Sequence, residues 1–288
     1  MPSLKDLQQT DAIDSAYLDK AVVYLESEED VQIIKERWFF DQGRYVEFKS
    51  VDAGSGGGCT QVVRQVAFDR GKGIVAFGIV DRDALLQCRY WGHWWEIDDA
   101  AFQANQPWGQ YVKVLKRWEI ENYLLTPMEI ETVLADKALR AMRSRGAVIE
   151  EILDHAEDVK VLSAAAVYCH ENGHGFPDGF AVEKRKQELQ NVVTAYLSKL
   201  FADYEPSRLN EYINGIEAFA EGVDDRGAER WERLNRLIDG KRMLRRLGLY
   251  GAAFSDRRGD LARHIRINGR IDPEIWAHLT VFKAAGKT

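Results

Sequence analysis

Ile74-Val75-Ala76-Phe77-Gly78-Ile79-Val80 runs directly into Asp81-Arg82-Asp83. An unbroken apolar run of this length, rich in β-branched residues, suits a strand covered on both faces. A matching run stands earlier, where Ala21-Val22-Val23-Tyr24-Leu25 leads into Glu26-Ser27-Glu28-Glu29-Asp30. Two buried strands that each end in acids decide the reading of the rest. Carboxylates at the C-terminal ends of parallel strands point into the crevice where open α/β sheets bind ligands. Carboxylates that converge there repel one another, and a hard divalent cation with oxygen ligands relieves the repulsion. Glu26, Asp81 and Asp83 therefore read as ligands of Mg²⁺ or Mn²⁺, with Asp30 and Glu121 as further candidates. The competing reading makes these acids helix N-caps and first-turn residues, a role that Glu28, Glu29 and Asp30 also suit.

Working outward, the first strand leads into a helix expected over about Asp30 to Phe40, with Val31, Ile34 and Trp38 at helical spacing. Gln42-Gly43 ends it, and Tyr45 to Val51 alternates as a second strand. The glycine run Gly54 to Gly58 follows, a flexible link or a backbone cradle for a phosphate, then Thr60 as a cap for a helix to about Arg70. Gly71-Lys72-Gly73 turns into the strand that ends at Asp81. This β-α-β-α-β order predicts a parallel sheet with helices on its faces. Tyr111 to Leu115 is a fourth strand; if it continues to Glu121, then Arg117, Glu119 and Glu121 share one side. From Pro127 to about Leu237 the pattern is helical. The expected division is an α/β core over 1–126, a helical insertion or second helical domain over 127–239, and basic C-terminal helices over 240–288 packing on the core.

The chain has 288 residues, 45% of them hydrophobic and 30% charged, the profile of an ordinary globular protein with one or two domains. No apolar stretch approaches a membrane span and the first residues are polar, so a cytoplasmic protein without membrane or signal segment is expected. The scattered Cys59, Cys88 and Cys169 agree with a reducing compartment. The net charge of −7 conceals an asymmetry, because nine basic residues against two acidic ones lie between Lys241 and Arg270. That is a local footprint for phosphates. Arg242, Arg245 and Arg246, at i, i+3 and i+4 spacing, are the candidates to hold a nucleic-acid strand; an ordinary helix face paired with acidic neighbours is the alternative. The dense tryptophans Trp91, Trp94, Trp95 and Trp108 make either a local core or a subunit contact, the second implying a homodimer.

Several chemistries are excluded. The glycine run is not closed by Gly-Lys-Ser/Thr, so it is no nucleotide-hydrolysing loop. Gly-x-Ser-x-Gly is absent. Cys169-His170-Glu171-Asn172-Gly173-His174 lacks a second pair at zinc spacing and reads as a polar loop.

With these residues in view, the chain resembles the Toprim superfamily, which joins a Glu after its first strand to an Asp-x-Asp after its third. Glu26 matches the first motif, although Ser27 stands where Gly is common, and Asp81 with Asp83 matches the second. Arg117-Trp118-Glu119-Ile120-Glu121-Asn122-Tyr123-Leu124-Leu125 is similar to a phrase of the OLD-like Toprim branch found in anti-phage defence proteins, as is the late Gly240-Lys241. The resemblance implies a Toprim-like α/β fold and a Mg²⁺-dependent nuclease. It also implies an effector held by an ATPase regulatory subunit until infection, then cutting host nucleic acid, with tRNA the leading substrate. Asp81, Asp83, Glu121 and Glu26 would hold one or two cations, Glu26 serving as ligand or general base. Lys241 would neutralise charge on the phosphate. A catalytically silent, trigger-sensing Toprim module and a primase-like nucleotidyltransferase are the alternatives.

Overall fold

The protein is described by a computed structural model that covers residues 20–51, 58–136, 144–251 and 257–286. In chain order the elements are β1 (Ala21–Leu25), α1 (Glu28–Val31), β2 (Val46–Ser50), α2 (Gly58–Gly71), β3 (Ala76–Val80), α3 (Ala84–Gln87), α4 (Trp91–Trp94), α5 (Asp99–Ala104) and β4 (Val112–Val114). A 3-10 turn (Ile120–Tyr123) follows, then α6 (Pro127–Asp136), α7 (Arg145–Glu171), α8 (Lys186–Leu200), α9 (Pro206–Ala218), α10 (Ala228–Leu234), α11 (Gly240–Gly251), α12 (Arg258–Ile267) and α13 (Pro273–Ala285). The mixed α/β class is as expected from the sequence. No helix among the described residues is long and apolar enough to cross a membrane.

Two compact units share the chain. The first takes Met1–Asp81, Gln103–Leu115 and Ile265–Thr288; the second takes Arg82–Phe102 and Lys116–His264. The expected division at 126 and 239 therefore differs from the folded one. Helix α11 packs on α7 in the second unit, whereas α13 packs on β1 in the first.

In the first unit, four parallel strands lie in the order β2-β1-β3-β4. Every residue of β1 and β3 is buried, because helices cover both faces of these central strands. Adjacent residues of β3 show the two coverings. Phe77 meets Phe282 of α13, ring centroids 4.7 Å apart, while Gly78 faces α2. A Cβ at Gly78 would lie 2.5 Å from Val62, so glycine is what lets α2 approach the sheet. The helix expected from Asp30 begins as the short α1 and continues as a π-helical stretch over Gln32–Trp38. Helix α2 begins at Gly58, so Thr60 lies inside its first turn rather than capping it. The rest of the glycine run, 54–57, lies outside the described residues.

The second unit is built around α7. Its side chains are buried without interruption from Asp158 to Cys169, the signature of a helix surrounded by others. Helices α6, α8, α9, α10 and α11 all pack on it. Cys169 to Glu171 form its last turn instead of a polar loop, and burial pushes the Cys169 thiol up to about 12. Of the tryptophans of this unit, Trp94, Trp118 and Trp231 are buried, while Trp91 and Trp95 are half-buried. Trp94 is fully buried with its ring edge-on to Trp118 at 5.0 Å, and Trp95 stacks on Tyr212 at 6.2 Å. Trp94 thus belongs to a local core, the first of the two readings that the sequence offered for it.

Candidate metal centre and the cleft beside Asp83

The end of β1 carries Glu26, and the end of β3 carries Asp81. The strands are hydrogen-bonded neighbours, so their terminal acids meet. The backbone N–H of Asp81 donates to Glu26 Oε1 at 2.9 Å, which orients that carboxylate across the strand ends. Gly58, at the start of α2, allows this placement: a Cβ there would lie 2.6 Å from Glu26 Oε2. Asp83 is tied to Asp81 through one residue, the fully buried Arg82, whose guanidinium donates to the carbonyls of Lys116 (2.7 Å) and Glu96 (3.0 Å). Glu26, Asp81 and Asp83 each offer a carboxylate oxygen, all within 4.8 Å of one another. The chemistry of this donor set fits a hard divalent cation, since every ligand is an anionic oxygen.

The other two candidate ligands have different surroundings. Asp30 belongs to a capping box: its Oδ2 accepts from the Ser27 N–H and its own N–H donates to Ser27 Oγ, each at 3.1 Å. Asp30 is therefore a first-turn residue of α1, at the third helical position, with Ser27 as the N-cap. Glu121 is 1% exposed and its Oε1 accepts from Arg258 at 2.6 Å. Neither belongs to the three-carboxylate group. The expected continuation of β4 to Glu121 does not occur. The strand ends at Val114, Glu119 stays extended, and the 3-10 turn begins at Ile120. Arg117 turns to Glu232, at 2.9 Å, and to the carbonyl of Asn122, at 3.1 Å.

Asp83 also lines a cleft in the second unit, with Glu119, Trp118, His170, Lys241 and Arg245 on its walls. Asn122 organises one side. Its Oδ1 accepts from the Glu119 N–H at 3.0 Å, while its Nδ2 donates to Asn235 Oδ1 (2.9 Å) and to the carbonyls of Asn235 (2.9 Å) and Ile238 (2.7 Å). The segment leading into α11 is thereby pinned to the Glu119 turn. Gly240 completes the approach, because a Cβ there would lie 2.5 Å from Asn122 Oδ1. As a result both Glu119 oxygens meet Lys241, Oε1 accepting from its backbone N–H at 2.5 Å and Oε2 pairing with Nζ at 3.0 Å. Burial first, then the Glu121 carboxylate, hold the Glu119 carboxyl well above the usual range; Lys241 pulls it back, and Asp239 and Asp83 push it further up. Sequence reasoning placed Glu119 beside other candidates without giving it a role, since its partner lies 122 residues away.

The three arginines of α11 separate. Arg246 is fully buried, ion-paired with Asp158, its Nε 3.2 Å from His155 Nδ1 and its Nη1 2.7 Å from the carbonyls of Val182 and Lys184. Arg242 is buried, ion-paired with Asp239 and bonded to the carbonyl of Pro177 at 2.8 Å. The Arg246 guanidinium, enclosed in this way, has no surface to offer a phosphate, so the expected substrate contact there is corrected to an internal ion pair; Arg242 lines the cleft, but its guanidinium is buried and committed to Asp239. Arg245 is exposed and faces the cleft; it makes no hydrogen bond or ion pair among the described residues. Farther along the basic stretch, Arg257, Arg258 and Arg266 are paired with Asp260, Glu121 and Asp41.

In comparisons with known proteins, no family model matches this chain, and no curated protein matches it.

Proposed function

We propose that this protein is a Mg²⁺-dependent nuclease of Toprim type. One observation carries the reading: Glu26 after β1 and Asp81 with Asp83 after β3 bring three carboxylates within 4.8 Å at the C-terminal ends of neighbouring parallel strands. Glu26, Asp81 and Asp83 would hold Mg²⁺ or Mn²⁺. When bound, such a cation supplies Lewis-acid stabilisation of charge on a phosphoryl oxygen and a more acidic water. The chain's own groups do the rest. Asp81 orients Glu26 through its N–H, which fixes one Glu26 oxygen at the strand ends, where the carboxylate would serve as ligand or general base. Lys241 and Arg245 put positive charge on the wall of the cleft that Asp83 shares, where a phosphodiester would be held.

The resemblance of the Arg117–Leu125 phrase and of Gly240-Lys241 extends the proposal. The phrase is similar to that of AriB, the Toprim effector of the PARIS anti-phage system, and so suggests tRNA as substrate and an ATPase as regulatory partner. Asn122 and Gly240, matched in that resemblance, are in contact here and support the reading from packing. Incubation with Mg²⁺ and labelled tRNA, plasmid DNA and single strands tests it. Cutting of one class is expected, lost in Glu26→Gln and in the double variant Asp81→Asn, Asp83→Asn. Wild-type cleavage by either variant in excess Mg²⁺ would refute the metal assignment. Nucleotide incorporation without cutting would point to the primase-like reading, and neither activity to a binding module.

A further inference from the structure

We infer that Glu119 is an internal stand-in for a substrate phosphate: it latches Lys241 until an entering phosphate of a nucleic-acid strand, first caught by Arg245, takes its place. The inference rests on the nuclease reading only for the nature of the ligand. Lys241 presents two donors, a backbone N–H and an ammonium, and one carboxylate edge takes both, at 2.5 Å and 3.0 Å. A phosphate oxygen can take the ammonium in the carboxylate's stead. The latch is built rather than incidental. Glu119 is held by Asn122 through its N–H, and Asn122 is held in turn by three acceptors on the segment preceding α11. Gly240 is the residue without a side chain that lets the two elements close.

The two halves of the pair differ in mobility. The Glu119 side chain is 5% exposed, whereas that of Lys241 is 46% exposed on the wall of the cleft. The Lys241 ammonium is therefore the part of the pair that can turn outward to a phosphate, while the Lys241 backbone N–H stays on Glu119. Arg245 lies one helical turn further along α11 on the same face, and its guanidinium rests against Gly179, where a Cβ would come within 3.1 Å of Nη1. Among the described residues it has no acidic partner. A strand would thus meet an uncommitted cation first and a committed one second. Anions too weak to displace Glu119 would leave Lys241 closed.

Binding without added metal separates this inference from the nuclease reading. The probes are a fluorescent single-stranded RNA and inorganic pyrophosphate, measured in EDTA over a salt series. Glu119→Gln keeps the side-chain volume but removes the nearer of the two charges that hold Lys241, leaving Glu121 Oε2 at 4.0 Å, so both probes should bind roughly tenfold tighter, the effect of one charge-assisted hydrogen bond. The log–log salt slope for RNA should steepen by about 0.7, one more phosphate contact on a single strand. Arg245→Gln, at an exposed position, should weaken binding and flatten the slope by about the same amount. If Glu119→Gln does not fold, Glu119→Asp, which draws the carboxylate back from Lys241, should tighten binding in its stead. Unchanged or weaker binding in the folded Glu119 variant overturns the latch, and so does unchanged binding in Arg245→Gln. Cleavage by the wild type with no response in these variants leaves the nuclease and removes the latch. The predicted shifts without any cleavage do the reverse.

Discussion

Replacing Gly240 with Ala tests the contact on which the second unit's cleft depends. The new Cβ would sit 2.5 Å from Asn122 Oδ1 and 3.0 Å from the Asn122 backbone nitrogen, inside van der Waals contact with both. Asn122 cannot retreat cheaply: it is fully buried, its amide donates to three acceptors, and its Oδ1 accepts from Glu119. Such overpacking typically costs about 1–3 kcal/mol. Against this stands the lower unfolded-chain entropy of alanine, worth about 0.4–1 kcal/mol at an unstrained site. The balance is a loss of about 1–2 kcal/mol, which for a unit of this size lowers the melting temperature by roughly 2–8 °C. Urea denaturation of wild type and Gly240→Ala measures it, with hydrogen exchange at the Lys241 amide as a local readout. That amide should exchange faster, because the shift separates it from Glu119. Equal or greater stability in the alanine variant, with unchanged Lys241 protection, would show that the approach of α11 to Asn122 is loose and that the reasoning from Gly240 is wrong.

Asp158→Asn should cost about 3–5 kcal/mol, because it leaves the fully buried Arg246 guanidinium without its anion; a urea midpoint within error of wild type would contradict the pairing. His93 is 4% exposed against Phe102, and burial, then the Arg82 charge, lower its pKa from 6.5 to about 4, with Glu96 opposing. The unfolded chain therefore takes up this proton first. The contribution of neutral His93 is complete above pH 6.5 and is lost as pH falls toward 4, a loss on the order of 3 kcal/mol. His93→Phe should flatten the fall in stability over that window, and an equally steep fall in the variant would assign the pH dependence to other groups. Removing the strand-end acids should leave the fold intact: the Asp81→Asn, Asp83→Asn double variant should melt at or above the wild-type temperature in EDTA, since crowded carboxylates destabilise one another, and a clear drop would make them structural.

The apolar runs before Glu26 and Asp81 determined the parallel strands, because a strand buried on both faces admits no polar alternation and such a run is visible within a few residues. Their position also determined that Glu26, Asp81 and Asp83 stand at strand ends. Asn122 and Gly240 stood out only as members of two separate stretches that resemble the OLD-like Toprim branch, not as a contact. The fate of the cations was decided by tertiary structure alone. Arg242, Arg245 and Arg246 are indistinguishable as a pattern at i, i+3 and i+4. The first pairs with the nearby Asp239, the last meets Asp158 from 88 residues away, and only the middle one is exposed on the cleft. Glu119 and Glu121 likewise differ by their nearest partners, Lys241 at 3.0 Å and Arg258 at 2.6 Å, more than a hundred residues downstream. Periodicity reports which residues share a face, since that follows from backbone geometry. Whether the face turns toward solvent or toward an opposite charge depends on an element that no local window contains.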